Sequence, residues 1–189
     1  MTAGRIPARE ITLDCGELKR RLGDDYTETL EKYKSTQEEI LSAITVRYAI
    51  GDARLTVSGD TAVIGDVRIE SQAIARYLSR YEICSVVALT LGVDADRLIR
   101  RYEAKGQTLG FVADALLSVI ADSACLKICD ASFPLEHSAP FAPGYANTDT
   151  KYLPSLLKIA DQKGSLGITF TDSYLMIPTK SIVVIVGKM

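Results

Sequence analysis

The residues best suited to hold a ligand stand together at Ala142-Pro143-Gly144-Tyr145. Proline fixes one backbone angle, and glycine admits a left-handed conformation and close approach of a ligand to the main chain. A tyrosine just after such a turn can lay its ring over a planar or cationic group, a contact that contributes about 0.5–2 kcal/mol. The same four residues would also serve as a plain connector between helices with a packing tyrosine, and the local pattern admits both. A second polar group, Thr171, Ser173 and Tyr174, is set between apolar runs and is followed by the Pro178-Thr179-Lys180-Ser181 turn. It reads either as a core hairpin pinned by proline or as the wall of a cleft closed against the Gly-Tyr turn. A cleft with apolar and hydroxyl walls is the usual make-up of a small-molecule site.

Much familiar chemistry lacks its parts. The sequence has no Gly-rich phosphate loop with lysine, no G-x-G-x-x-G between a strand and a helix, and no G-x-S-x-G elbow. The single histidine, His137, reads as a loop residue, so a histidine-built metal or triad site has nothing to be made from. Cys125 and Cys129 share a helix face, but a metal site needs three or four ligands. All four cysteines, Cys15 and Cys84 included, therefore read as small buried hydrophobes, and no metal is expected. Asp24-Asp25 and Glu38-Glu39 read as solvated helix faces rather than catalytic carboxylate pairs.

The elements that must position these residues follow from pattern. Of 189 residues, 47% are hydrophobic and 24% charged, enough for one well-cored domain. The net charge of −2 gives no general attraction to nucleic acid or to anionic membrane. No apolar run approaches the roughly 20 residues of a membrane span. The opening "MTAGRIPARE" lacks the apolar centre of a secretory signal, so a cytoplasmic protein is expected.

Residues 14–45 read as two helices broken near Gly23, with Asp24 or Asp25 as N-cap and Leu30, Tyr33, Ile40, Leu41 and Ile44 as the packing face. Residues 45–71 alternate β-branched and polar side chains around Gly51-Asp52, Gly59-Asp60 and Gly65-Asp66, which predicts three or four short antiparallel strands. A short helix capped by Ser71 follows, then the buried strand "ICSVVALTLG" and an amphipathic helix with a basic face that closes at Gly106. "QTLGFVADALLSVIADSACLKICD" is apolar on nearly every side and reads as a central helix ending just before residue 141. An amphipathic helix restarts near 153, and two or three strands with Pro178 between them close the chain. This order predicts an α+β single domain over 1–189, an antiparallel sheet covered by helices, with the 14–45 helical segment packed on it.

The strings "APGY" at 142–145, "LPSLL" at 153–157 and "GITFTDSYLMIPTKSIVVIVG" at 167–187, with "VVALTLG" at 86–92, resemble the activation (reactivation) domain of cobalamin-dependent methionine synthase. The likeness is greatest to its free-standing bacterial relatives. The resemblance implies a helmet- or C-shaped fold with S-adenosylmethionine bound in the concave face. It also implies docking on a corrinoid-binding protein or a short cobalamin-dependent methionine synthase. There the protein would serve reductive remethylation of cob(II)alamin, with a reductant protein supplying the electron, in methionine biosynthesis. The chemistry would belong to the corrinoid, and the domain would supply position and a docking surface. The chain has no Asp-x-His-x-x-Gly motif of its own, so cobalamin would be met only through the partner.

Carried over by position, the ligand turn falls on Gly144 and Tyr145, shaped by Ala142 and Pro143. The family pattern is Arg-x-x-x-Gly-Tyr, and Pro140 stands at the arginine position. A guanidinium there suits the ligand's carboxylate, and losing such a contact costs about 1.5–3 kcal/mol. Lys151 and Lys180 are the candidate replacements. If neither serves, the chain reads as a non-catalytic docking or assembly subunit that has lost S-adenosylmethionine, or as a binder of another small molecule.

Overall fold

The computed structural model describes residues 2–133 and 135–189. Its frame is a six-stranded sheet in which every pairing is antiparallel. The strands are β1 (Thr2–Pro7), β2 (Thr45–Ser58), β3 (Thr61–Ile64), β4 (Val67–Glu70), β5 (Ile83–Thr90) and, after the small β6 (Thr169–Phe170) and β7 (Met176–Ile177) hairpin, β8 (Ser181–Lys188). They run in the order β4-β3-β2-β5-β8, and β1 also pairs with β2. The helices are α1 (Cys15–Leu22), α2 (Tyr26–Lys32), α3 (Lys34–Ala43), α4 (Gln72–Leu78), α5 (Val93–Glu103), α6 (Gln107–Ser132) and α7 (Leu153–Ala160).

Helices cover both faces of the sheet, which explains why β5 reads as a continuous apolar run rather than an alternation. Val87 and Leu89 point into one core, with Ile40 of α3, Leu98 of α5, and Leu116 and Ile120 of α6. Cys84, Val86 and Ala88 point into the other, with Ile74 and Leu78 of α4 and Leu156 and Ala160 of α7. Contrary to the expectation that no apolar run approaches a membrane span, α6 is long and apolar enough to cross a membrane, the one such helix among the described residues, and 67% of its apolar stretch is buried within the fold. Its all-round apolarity is that of a core helix enclosed by α1, α3, α5 and the sheet.

Several local readings change. β1 is an additional strand. The N-terminal segment holds three helices, not two, because the chain breaks at Tyr33 as well as at Gly23. The side-chain cap there is Asp14, which accepts the Glu17 N–H at 2.9 Å; Asp25 occupies an N-cap position without a cap bond, and Asp24 pairs with Lys19 at 2.8 Å. Cys84, Cys125 and Cys129 are buried, but Cys15 is exposed at the start of α1. Burial pushes the Cys84 thiol up to about 12.

The largest change concerns Gly51-Asp52. Gly59 and Gly65 turn the chain as expected, with φ of 56° and 57°. Gly51, by contrast, lies in the middle of β2 opposite Val86. A Cβ there would stand 2.7 Å from the carbonyl carbon of Ile159 and 3.1 Å from Cα of Ala160, with the Ile159 oxygen nearer still. This glycine serves a close crossing of α7 over the sheet, not a turn.

Asp161 closes α7 and organises the loop beyond it. Its buried carboxylate accepts the Ser165 N–H at 2.9 Å, the Ser165 hydroxyl at 2.8 Å and the Leu166 N–H at 2.7 Å. Burial acts to raise its pKa, but these donors and the charge of Arg47 hold it below the ordinary aspartate value. Its contribution to stability is therefore complete above the ordinary aspartate range and is lost as pH falls through that range toward the lower folded value. Asp161→Asn should destabilise the protein by about 1–3 kcal/mol at pH 7. Thermal melts of both forms should converge below pH 4; equal melting at pH 7 would show that the carboxylate is not structural.

Candidate functional site

α6 ends at Ser132, well short of the Pro-Gly-Tyr turn, because the chain must first return along the free edge of β8. Ser138 N–H donates to Gly187 O at 2.9 Å, Gly187 N–H donates to Ser138 Oγ at 2.9 Å, and Phe141 and Ile185 exchange backbone bonds, each at 2.9 Å. His137 lies in this edge segment, with Nδ1 2.8 Å from the Ser138 carbonyl. The segment thus caps the sheet and delivers residue 142 to a fixed point beside β8.

The turn that follows is tightly determined. Gly144 adopts φ of 103°, and its N–H donates to Thr148 O at 2.7 Å. Tyr145 N–H donates to Ala142 O at 3.3 Å and Thr148 N–H to Tyr145 O at 3.0 Å. Ala146 and Asn147 take left-handed conformations, with φ of 48° and 59°. The Thr148 hydroxyl meets the hydroxyl of Ser71, the N-cap of α4, at 2.7 Å, and both residues are buried. The backbone is anchored by hydrogen bonds, while Tyr145 as a residue is 73% exposed and outside both core clusters. A tyrosine serving to pack a connector would be covered.

Beside this turn is a cavity of about 670 Å³. Pro140, Ala142, Pro143 and Tyr145 form one wall, and Ile182 and Val184 of β8 contribute to another. α1 presents Glu17, Arg20 and Arg21 together with its N-cap Asp14, and α6 adds Asp122 and Cys125. Arg20 Nε donates to both Glu17 oxygens, at 3.0 and 3.1 Å, and Arg21 Nη2 donates to Asp122 Oδ2 at 2.8 Å. The hydrogen bond from Arg20 holds the Glu17 carboxyl below its ordinary value, and the same hydrogen bond, with the charge of Glu17, raises Arg20 in turn. A bond with Cys129, with burial, pushes the Cys125 thiol well up, so it stays a neutral wall residue.

The other sequence candidates stand elsewhere. Gly144 shapes the turn without lining the cavity. Thr171, Ser173 and Tyr174 form the tip of the β6–β7 hairpin, where the Thr171 hydroxyl is spent on Ser173 Oγ at 3.1 Å and the Leu175 N–H at 3.1 Å. Their hydroxyls do not line the cavity, although Met176 of the same hairpin does. Lys151 is exposed and lies 3.5 Å from Asp149. Lys180 binds Asp114 and Ser118 of α6, each at 2.8 Å. Neither lysine faces the cavity; its cations are Arg20 and Arg21. In the sequence these two are ordinary basic residues in the last turn of a helix, and their relation to residue 145 exists only once α1 is docked on α6.

The fold is that of a known domain. The chain superposes on a crystal structure described as the MetH reactivation domain bound to AdoHcy, with a TM-score of 0.67 and 12% sequence identity. The match covers 100% of this chain and 78% of that one. No family model matches the sequence. No curated protein matches it either. The α+β architecture, an antiparallel sheet flanked by helices, is the one the sequence resemblance implies.

Proposed function

We propose that this protein is an accessory to corrinoid-dependent methyl transfer that binds S-adenosylmethionine in the cavity beside the Gly144-Tyr145 turn. The observation that carries the reading is the likeness of the whole chain to a reactivation domain solved with AdoHcy, the demethylated form of that ligand. The cavity fits the group. Its volume of about 670 Å³ is in the range of small-molecule sites, and it joins apolar, aromatic and charged walls. The exposed Tyr145 ring is free to stack on a nucleoside, and the anchored turn holds it there at low entropic cost.

The partner in this reading is a separate corrinoid-binding protein or a short cobalamin-dependent methionine synthase, with a reductant protein as electron source. There the partner's corrinoid would supply the chemistry, with reduction by the external donor and methylation by S-adenosylmethionine. This chain's part is to hold the methyl donor in position and to dock.

A second reading is a docking or assembly subunit that does not bind S-adenosylmethionine, and Pro140 at the resemblance's arginine position favours it. Calorimetric titration with S-adenosylmethionine and S-adenosylhomocysteine separates the two. Saturable binding at micromolar to sub-millimolar concentrations is expected. Heat indistinguishable from dilution up to several millimolar would leave the docking role alone.

A further inference from the structure

The lining of the cavity is of two chemical kinds. Tyr145, Pro140, Pro143 and Met176 give it apolar and aromatic surface, while the α1–α6 side brings Glu17, Arg20, Arg21 and Asp122 together. That charged side is a built arrangement. Asp14 N–H donates to Ser123 Oγ at 3.1 Å and fixes the start of α1 on α6, and Arg21 ties the end of α1 to Asp122. Arg21 Nε also lies 3.5 Å from Glu17, so the two ion pairs form one alternating network.

The signs decide what such a network can receive. A purely anionic group would meet Glu17 and Asp122 at close range, and a purely cationic one would meet both arginines. A group with both charges on neighbouring atoms extends the alternation at either end, and an α-amino acid terminus is that group. Guanidinium donates two parallel N–H bonds to a carboxylate, and a carboxylate accepts from an ammonium. Arg20 is the better placed of the cations: its side chain is 62% exposed, and Tyr145 lies within its electrostatic reach. Its Nε and Nη2 bind Glu17, but the guanidinium has five N–H donors and Nη1 makes no such bond. Arg21 is largely covered and occupied with Asp122.

We infer that this pole is the subsite for a zwitterionic amino-acid end of the ligand, with Arg20 on the α-carboxylate and Asp122 on the α-ammonium. The inference rests on the reading of the cavity as a site for S-adenosylmethionine. It assigns the recognition of the methionyl end to the N-terminal helix rather than to the turn that meets the nucleoside.

The test uses three thioethers that differ only at this end: S-adenosylhomocysteine, its decarboxylated analogue, and 5′-methylthioadenosine. The wild-type protein should prefer S-adenosylhomocysteine to the decarboxylated analogue by about tenfold or more. Arg20→Met should abolish that preference and leave the affinity for 5′-methylthioadenosine unchanged. It should melt with the wild type, because its ion pair is exposed. Asp122→Asn should instead reduce the preference for the decarboxylated analogue over 5′-methylthioadenosine. If Arg20→Met keeps the full preference for the carboxylate, the subsite is wrong and the cavity assignment stands. If the wild type binds neither S-adenosylhomocysteine nor 5′-methylthioadenosine at millimolar concentration, the cavity assignment fails and the subsite falls with it.

Discussion

Gly51→Ala should cost at least about 3 kcal/mol, a large share of the roughly 5–15 kcal/mol that stabilises a domain. Overpacked side chains can usually rotate away, which keeps such penalties to about 1–3 kcal/mol. Here the obstacle is main chain. The new methyl would stand 2.7 Å from the carbonyl carbon of Ile159 and 3.1 Å from Cα of Ala160. Relief requires α7 to lift from β2 as a unit. α7 brings Leu153, Leu156, Leu157 and Ala160 into the core on that face, and Asp161 ties its end to the next loop. Lifting it loosens all of these together. A thermal melt should show a fall of at least about 6–12 °C. Gly59→Ala is the control: it faces open space at a φ of 56° and should cost only about 1–2 kcal/mol of backbone strain. If Gly51→Ala melts no lower than Gly59→Ala, the close crossing of α7 over β2 is wrong.

Gly51 also shows what a sequence can and cannot disclose. Gly51-Asp52, Gly59-Asp60 and Gly65-Asp66 are the same dipeptide in the same alternating surroundings. Two of them turn the chain, and the third lies within a strand because of a backbone more than a hundred residues later. Local pattern carries local causes. It suffices for α6, whose broad apolar surface is mostly buried against α1, α3, α5 and the sheet, and for β5, buried on both faces. It suffices for the Ser71 cap, whose oxygen meets the Ile74 N–H three residues on. It does not suffice for β1, whose "TAGRIP" has neither alternation nor a strong β-former run and becomes a strand by pairing with β2. The candidate site divides in the same way. The Pro-Gly-Tyr turn is legible because its conformational demand is written in its own residues. The charged wall is not, because Arg20 and Asp122 are assembled by docking α1 on α6, while the visible lysines, Lys151 and Lys180, are taken up by other carboxylates.

Gly144→Ala and Tyr145→Ala should separate ligand binding from stability in opposite proportions to an ordinary packing turn. At φ of 103° an alanine is strained by about 1–3 kcal/mol, and its Cβ would meet the Thr150 methyl at 3.2 Å. The turn would relieve this by rotating, which moves the Tyr145 ring, its exposed product. S-adenosylhomocysteine affinity should fall about tenfold or more, with a melting temperature lower by about 2–12 °C. Tyr145→Ala truncates a residue that is 73% exposed, so stability should hold within about 0.5 kcal/mol. The lost stacking contact, about 0.5–2 kcal/mol, should still weaken the nucleoside ligand by roughly two- to thirtyfold. A tyrosine that merely packed would give the reverse: a lower melting temperature and unchanged affinity. On the proposed function, the two variants should also slow remethylation of a cob(II) corrinoid partner in proportion to lost occupancy, and saturating S-adenosylmethionine should restore the rate for Tyr145→Ala. Wild-type affinity and wild-type activation in both variants would remove the turn from the site. A loss of activation that saturating ligand does not repair would place Tyr145 at the partner interface instead, since a ring this exposed is as available to a docking protein as to a nucleoside.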